Sequence, residues 1–321
     1  MIHLSDITSE LDIFCEKDIK IKALNTLKDA NEKEISFLEN KKYVSDLQNT
    51  KAAGVFVTKE NEKLVPKNTI ALVVDEPYIA LAKVSRLFAP KIIEKSGDDC
   101  LVGENTTVMN NVYLGKNSKI GNNCTIMAGS FIGDNVTIGD NTIIYPNVTV
   151  YRDCKVGHDT IIHAGTVIGS DGFGFATDKK KGEHIKIYQN GNVIIGNNVE
   201  IGSNCTIDRA AFKSTIVEDM VRIDNLVHIA HNCIIGYGSI LVTQVGLSGS
   251  TILKEFVIMS GQTATSGHLE IAPFTTITGR GVVLKSIKEP KKQWSGFPLL
   301  EHKNWLKLQS KINKLLKKDK L

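Results

Sequence analysis

The sequence predicts a mainly β protein, a parallel β-helix of stacked hexapeptide turns between an N-terminal α/β domain and a C-terminal helical extension. Three observations carry this expectation. An aliphatic residue recurs at every sixth position from Val102 through Val108, Leu114, Ile120 and onward to Ile168. Two residues before each stands something small or β-branched, such as Thr106, Ser118, Cys124 and Val136, and Gly follows seven of these twelve aliphatics. Aromatics are only 6% of the chain while Gly numbers 26, which favours many tight turns over an aromatic-rich core.

A six-residue period fits neither an α-helix nor an isolated amphipathic strand. It does fit a triangular coil in which each side is a short strand and each corner a turn. The aliphatics then point inward, the small residues lie beside them, and Gly or Asn takes the strained corner conformations. The pattern stops at residues 169–192, restarts at Ile195, Ile201 and Ile207, slips by four residues, and runs from Val217 to Val283 with Thr265 as its one polar member. These 27 hexads make about nine coils. At the usual strand spacing the prism is ~43 Å long. Its two open sheet edges need covers, and the N-terminal region and C-terminal tail are the expected caps.

Five of the six cysteines, Cys100, Cys124, Cys154, Cys205 and Cys233, fall on the small inward position, where a thiol is a compact apolar filler. With no CxxC pair and no Cys/His cluster, all six are expected to be reduced and free of metal.

Residues 1–97 lack the sixfold pattern and read as an α/β domain, with strands at Ala52–Val57 and Thr69–Val74 and an amphipathic helix from Pro77 ended by Pro90. Residues 98–286 form the β-helix and 287–321 the extension. In the extension Trp305, Leu308, Ile312 and Leu315 or Leu316 give one apolar stripe on a Lys-rich helix. A lone helix of that length is marginal in water, so packing against copies of itself, and hence a homotrimer, is expected.

The formal net charge is +4, yet residues 305–321 alone carry six Lys against one Asp. Basicity confined to a tail does not make a nucleic-acid interface, so no nucleic-acid partner is expected. No uninterrupted apolar run is long enough to span a bilayer, and the start of the chain has no secretory pattern, so a cytoplasmic protein with no transmembrane segment is expected.

On a rigid prism, functional side chains are those that break the polar monotony of the corners. Gly249 lies one 18-residue coil above His231, and Gly267 lies a further coil up with His268 beside it. One edge thus aligns a base, a bare backbone and a second imidazole. Asp224 is seven residues before His231, one face away, so the two can cooperate only if neighbouring subunits abut. On periodicity alone a corner histidine is as readily a solvated polar residue.

Five segments, ISFLENKKY (35–43), GSDGFGFA (169–176), VEIGSNCTIDRA (199–210), DNLVHIAHN (224–232) and SGHLEIA (266–272), are together more specific than the repeat. Through them the chain resembles the UDP-3-O-(3-hydroxyacyl)glucosamine N-acyltransferases of lipid A biosynthesis, over nearly its whole length. The resemblance implies a left-handed β-helix and transfer of a 3-hydroxyacyl chain to the 2-amino group of a UDP-3-acyl-glucosamine. The donor is acyl carrier protein, which carries the thioester on its phosphopantetheine, and no cofactor is needed.

The resemblance further implies His231 as general base, Asp224 as its acidic partner or a substrate contact, and His268 near the acceptor's phosphates. Gly249 offers its N–H to the oxyanion. Phe37 and Tyr43 sandwich uracil while Asn40 bonds its edge. Val282 and Leu284 line the acyl channel, where relatives are expected to carry Met. Lys285, with Lys303, Lys307 and Lys311, meets the acidic carrier. His228 departs from the pattern, which expects Gln there. A zinc hydratase of the γ-carbonic anhydrase kind and a nonenzymatic scaffold fit less well, and the nearest alternative enzyme is a CoA-dependent nucleotide-sugar N-acetyltransferase.

Overall fold

The computed structural model describes residues 1–90, 97–295 and 302–318, with the side chains of Trp305 and of 316–318, Leu316 among them, outside that description. Pairs of residues flanking each inward aliphatic form short strands. They stack in parallel at an 18-residue offset, as Lys119–Ile120 does on Leu101–Val102 below and Thr137–Ile138 above. Among the described residues three parallel sheets result, of nine, ten and nine strands. Their inner faces meet in one continuous core that runs from Ile120 to Ile287.

The small inward position does more than fill space. Its hydroxyl or thiol donates to a carbonyl of the next coil: Thr142 to Gly157 at 3.0 Å, Thr166 to Gly202 at 2.7 Å, and Cys124 to Gly139 at 3.1 Å. Cys124, Cys154, Cys205 and Cys233 are buried and free, and burial pushes the Cys233 thiol up to about 12. Thr265 is buried as well, its hydroxyl accepting from the Ser248 N–H and sharing a hydrogen bond with Thr251.

Left-handed backbone turns every corner. In the first half Asn and Asp take these positions, with Gly at 129 and 165, and the Asn and Asp side chains form ladders, with Asn117 donating to Asn135 at 3.1 Å and Asn135 to Asp153 at 2.9 Å. The second half keeps the expected Asn or Gly at Asn198, Asn204, Asn232 and Gly238 but departs from it elsewhere. Leu226 (φ 61°), Phe256 (φ 54°), His268 (φ 60°) and Phe274 (φ 57°) hold the same conformation. Each costs about 1–2 kcal/mol, which the stacked coils offset. Gly115 serves close approach instead, since a Cβ there would lie 2.5 Å from the backbone of Gly133 and Asp134 in the next coil. Gly115→Ala should therefore destabilise by about 1–3 kcal/mol, measured as a lower denaturation midpoint with an unchanged slope.

The N-terminal region has a four-stranded parallel sheet, Ala23–Leu24, Glu34–Phe37, Gly54–Val57 and Ile70–Val73, covered by helices Leu4–Leu11 and Pro77–Ser85. The second helix is shorter than expected: the chain tightens into a 3-10 turn at Arg86–Phe88 before Pro90. The capping expectation is corrected at one end. Leu101 and Val102 on the first rung remain 64% and 45% exposed, and the N-terminal region docks on the side of the prism instead. At the other end residues 287–294 cover the last coil, with Ile287 bridging Ile271 and Gln293–Trp294 extending one sheet. The terminal helix, His302–Lys318, leaves Leu308, Ile312 and Leu315 exposed in the single chain. No helix among the described residues is long and apolar enough to cross a membrane.

Candidate active site

The two interruptions of the sixfold pattern build the site. The first folds out as an antiparallel hairpin, Phe175–Asp178 with Glu183–Lys186. Ala176 and Ile187 pack on Ala82 of the helix Pro77–Ser85, and the Ser85 hydroxyl accepts from the Tyr188 N–H at 2.9 Å. The four-residue slip carries Phe212 out to Phe37, with ring centroids 6.4 Å apart. Between the docked domain and the prism lies a cavity of about 1040 Å³, lined by Phe37, Asn40, Lys42, Tyr43, Tyr78, Phe173, Gln189, Phe212, His231, Asn232, Ser250 and His268 among others.

His231 projects into this cavity between two glycines. A Cβ on Gly249 would lie 2.6 Å from His231 Cε1 and 2.7 Å from Nε2, and one on Gly172 would lie 2.6 Å from His231 Cβ. The coil arithmetic thus places Gly249 correctly, and the hairpin supplies the second glycine. Nδ1 of His231 sits 3.2 Å from Asn232 Oδ1, and Asn232 Nδ2 donates to the Phe212 carbonyl at 2.9 Å, which holds that amide in place.

Asp208 was not legible as a site residue. It is buried, accepts a hydrogen bond from the Ser170 hydroxyl at 2.9 Å, and lies 3.8 Å from His228 Nε2. Burial pushes its carboxyl above the ordinary range, against the opposing pull of Ser170 and of the His228 and His231 imidazoles. The unexpected His228 thus faces an acid; its other ring nitrogen is 2.7 Å from the Thr206 hydroxyl. Burial holds the His268 imidazole below its usual range, and the nearby charges of Lys42 and His231 act in the same direction.

The predicted platform residues reach the same cavity. Phe37 is half-buried and lies 6.0 Å from Tyr78, while Tyr43 is 39% exposed with the Lys42 ammonium 4.7 Å above its ring. Asn40 has a local duty as well, because its Oδ1 accepts from the Lys42 N–H and caps the turn Lys41–Tyr43. Its Nδ2 makes no hydrogen bond among the described residues.

Asp224 is not brought to this cavity. Its carboxylate is exposed and accepts from the N–H groups of Asn225 and Thr243, so within one chain it supports a corner. Val282 and Leu284 are 62% and 69% exposed, and Lys285 is exposed beside them. On the outer face of one sheet, His228, Gly246, Ala264 and Val282 stand in register. Gly246 and Ala264 are the small members of this row, and a Cβ on Gly246 would meet nothing within 4 Å.

A family model described as UDP-3-O-(3-hydroxymyristoyl) glucosamine N-acyltransferase matches residues 18–87. Models of bacterial transferase hexapeptide repeats match 99–134 and 135–170, and one of succinyl-transferase repeats matches 192–225. The chain is 52% identical to UDP-3-O-acylglucosamine N-acyltransferase 1 of Sulfurimonas denitrificans, over 99% of this chain and 100% of that protein. It is 49% identical to the Campylobacter lari UDP-3-O-acylglucosamine N-acyltransferase, over 97% of each. Among solved structures, Arabidopsis UDP-N-acetylglucosamine acyltransferase shares the fold at a TM-score of 0.53 and 23% identity, covering 64% of this chain and 71% of that one.

Proposed function

The chain belongs to the UDP-3-O-acylglucosamine N-acyltransferase family, an acyltransferase of lipid A biosynthesis, and from that premise we propose that it moves a 3-hydroxyacyl group from acyl carrier protein to the 2-amino group of UDP-3-acyl-glucosamine in the cytoplasm. The supporting observation is one cavity that joins Phe37, Asn40 and Tyr43 to His231 and His268. A nucleotide sugar has the same layout, with an aromatic base at one end, a diphosphate between, and the reacting sugar at the other. Uracil stacks against Phe37 and Tyr43 with Asn40 Nδ2 on its edge. The diphosphate lies near Lys42 and His268, which leaves the hexosamine before His231.

Chemistry then needs a base, an oxyanion donor and firm positioning. His231 takes the proton as the amine attacks the thioester carbonyl. The Gly249 N–H meets the developing oxyanion, and collapse expels the thiolate of the carrier's phosphopantetheine, to which the imidazolium returns the proton. The buried cysteines take no acyl group, and no cofactor enters. The acyl chain follows the row of Gly246 and Ala264 to Val282 and Leu284. Asp224 acts from the neighbouring subunit of a homotrimer, where a surface corner of one prism can reach the site of another.

An aromatic platform remote from the reacting amine contributes uniform binding. Tyr43→Ala should raise the Michaelis constant for the nucleotide sugar far more than it lowers turnover. A pure loss of turnover in steady-state kinetics would instead make Tyr43 structural or catalytic. The donor is tested by comparing acyl carrier protein with CoA. Transfer should require the carrier, and charge reversal of Lys285, Lys303, Lys307 and Lys311 should weaken it at low salt, where surface charges are least screened. Equal rates with CoA would make the enzyme a CoA-dependent acyltransferase.

A further inference from the structure

Gln189 is a polar side chain whose surroundings leave half of it unused. It is only 3% exposed and lines the cavity that holds His231. Its Nε2 donates to the Ile187 carbonyl at 2.9 Å, which fixes the amide's orientation, since a flipped amide would set oxygen against oxygen. That fixed orientation leaves Oε1 buried with no hydrogen-bond partner among the described residues. A buried acceptor left unsatisfied costs stability, and native proteins seldom retain one without a use.

The backbone around this amide makes room for it. A Cβ on Gly174 would lie 2.7 Å from Gln189 Nε2, and two residues earlier a Cβ on Gly172 would lie 2.6 Å from His231 Cβ. One short segment, 172–174, therefore seats both the imidazole and the glutamine. Gly172 and Gly174, which abut His231 and Gln189, belong with Gln189 to the prism's insertion, whereas Phe37, Asn40 and Tyr43 belong to the docked domain.

Resting on the function proposed above, we infer that Gln189 Oε1 recognises the acceptor's hexosamine, accepting a hydrogen bond from a hydroxyl or amine hydrogen of the sugar. A diphosphate has no hydrogen to give, and the donors of the uracil and ribose lie toward the platform. The sugar presents the donors nearest His231. Gln189 is thus a specificity residue: it separates the sugar nucleotide from free nucleotide and fixes the ring before the base.

Calorimetric binding of UDP, UDP-glucose and UDP-glucosamine to the full-length wild-type protein and to Gln189→Met tests this. UDP affinity should be unchanged by the substitution, while UDP-glucosamine should bind roughly tenfold more weakly, the worth of one buried hydrogen bond. An equal loss with UDP-glucose identifies a hydroxyl as the donor, and a loss confined to UDP-glucosamine identifies the amine; both uphold the inference. Equal weakening of all three ligands, UDP included, overturns it, as does no change in any, which leaves the oxygen to a water molecule only. If Gln189→Met fails to fold, 4-deoxy, 6-deoxy and 2-hydroxy sugar analogues on the wild type replace it: at least one must bind about tenfold more weakly, and none doing so overturns the inference. A wild type that binds no uridine nucleotide overturns the proposed function itself, an outcome distinct from a wild type that binds and a variant that binds equally well.

Discussion

Replacing His231 with Ala should lower turnover by about 10²-fold to 10⁴-fold, the range of a lost general base, while leaving thermal stability close to that of the wild type. The two halves of that expectation have different causes. The imidazole lies in the cavity between Gly172 and Gly249, outside the prism core, so its removal breaks none of the stacked rungs. The proposed reaction, however, loses the imidazole held against the bare Gly249 backbone. Turnover at saturating substrates and a thermal melt of the same preparation check both halves. Near wild-type turnover in a folded variant would remove His231 from the chemistry.

Gly249→Ala should be almost as damaging by a different route. The added methyl would sit 2.6 Å from His231 Cε1 and 2.7 Å from Nε2. Because the obstructed atoms belong to a side chain that can swing away, folding should survive where Gly115→Ala, which meets backbone, loses stability. A ring displaced by about 1 Å would miss the proton it is proposed to take, and misplacement of that size costs roughly 10²-fold in rate. Turnover should fall by about that factor or more with UDP affinity intact. Retained turnover would mean that neither the ring's position nor the approach to the Gly249 N–H matters.

The contrast between these glycines also explains what could be read in the sequence. A six-residue period fixes which side chains point inward and which residues stack one coil apart, so the neighbourhood of His231, Gly249 and His268 follows from counting in eighteens. Counting fails across the insertions. Thr206 pairs with His228 at an offset of 22, and Lys155 with Ile194 at 39. Asp208 therefore fell out of register with the histidine it faces. Gly172, Gly174 and Gln189 lie in the first interruption, whose hairpin is held in place by the helix Pro77–Ser85. No periodicity announces such a contact, because it depends on how the domain docks. Phe37, Asn40 and Tyr43 were legible through their motif, yet their sharing of one cavity with His231 is a tertiary fact. The exposure of the first rung, Leu101 and Val102, depends in the same way on where the domain docks.

In the proposed function, a uridine platform and a base in one cavity present a sugar amine to an acyl thioester. Incubating the purified protein with 3-hydroxyacyl carrier protein and either UDP-3-acyl-glucosamine or UDP-N-acetylglucosamine, then identifying products by mass spectrometry, tests it most directly. The expected product is UDP-3-acyl-glucosamine heavier by one hydroxyacyl group and without its free amine, with UDP-N-acetylglucosamine unchanged. Acylation of a hydroxyl on UDP-N-acetylglucosamine, with the amine acceptor untouched, would contradict it.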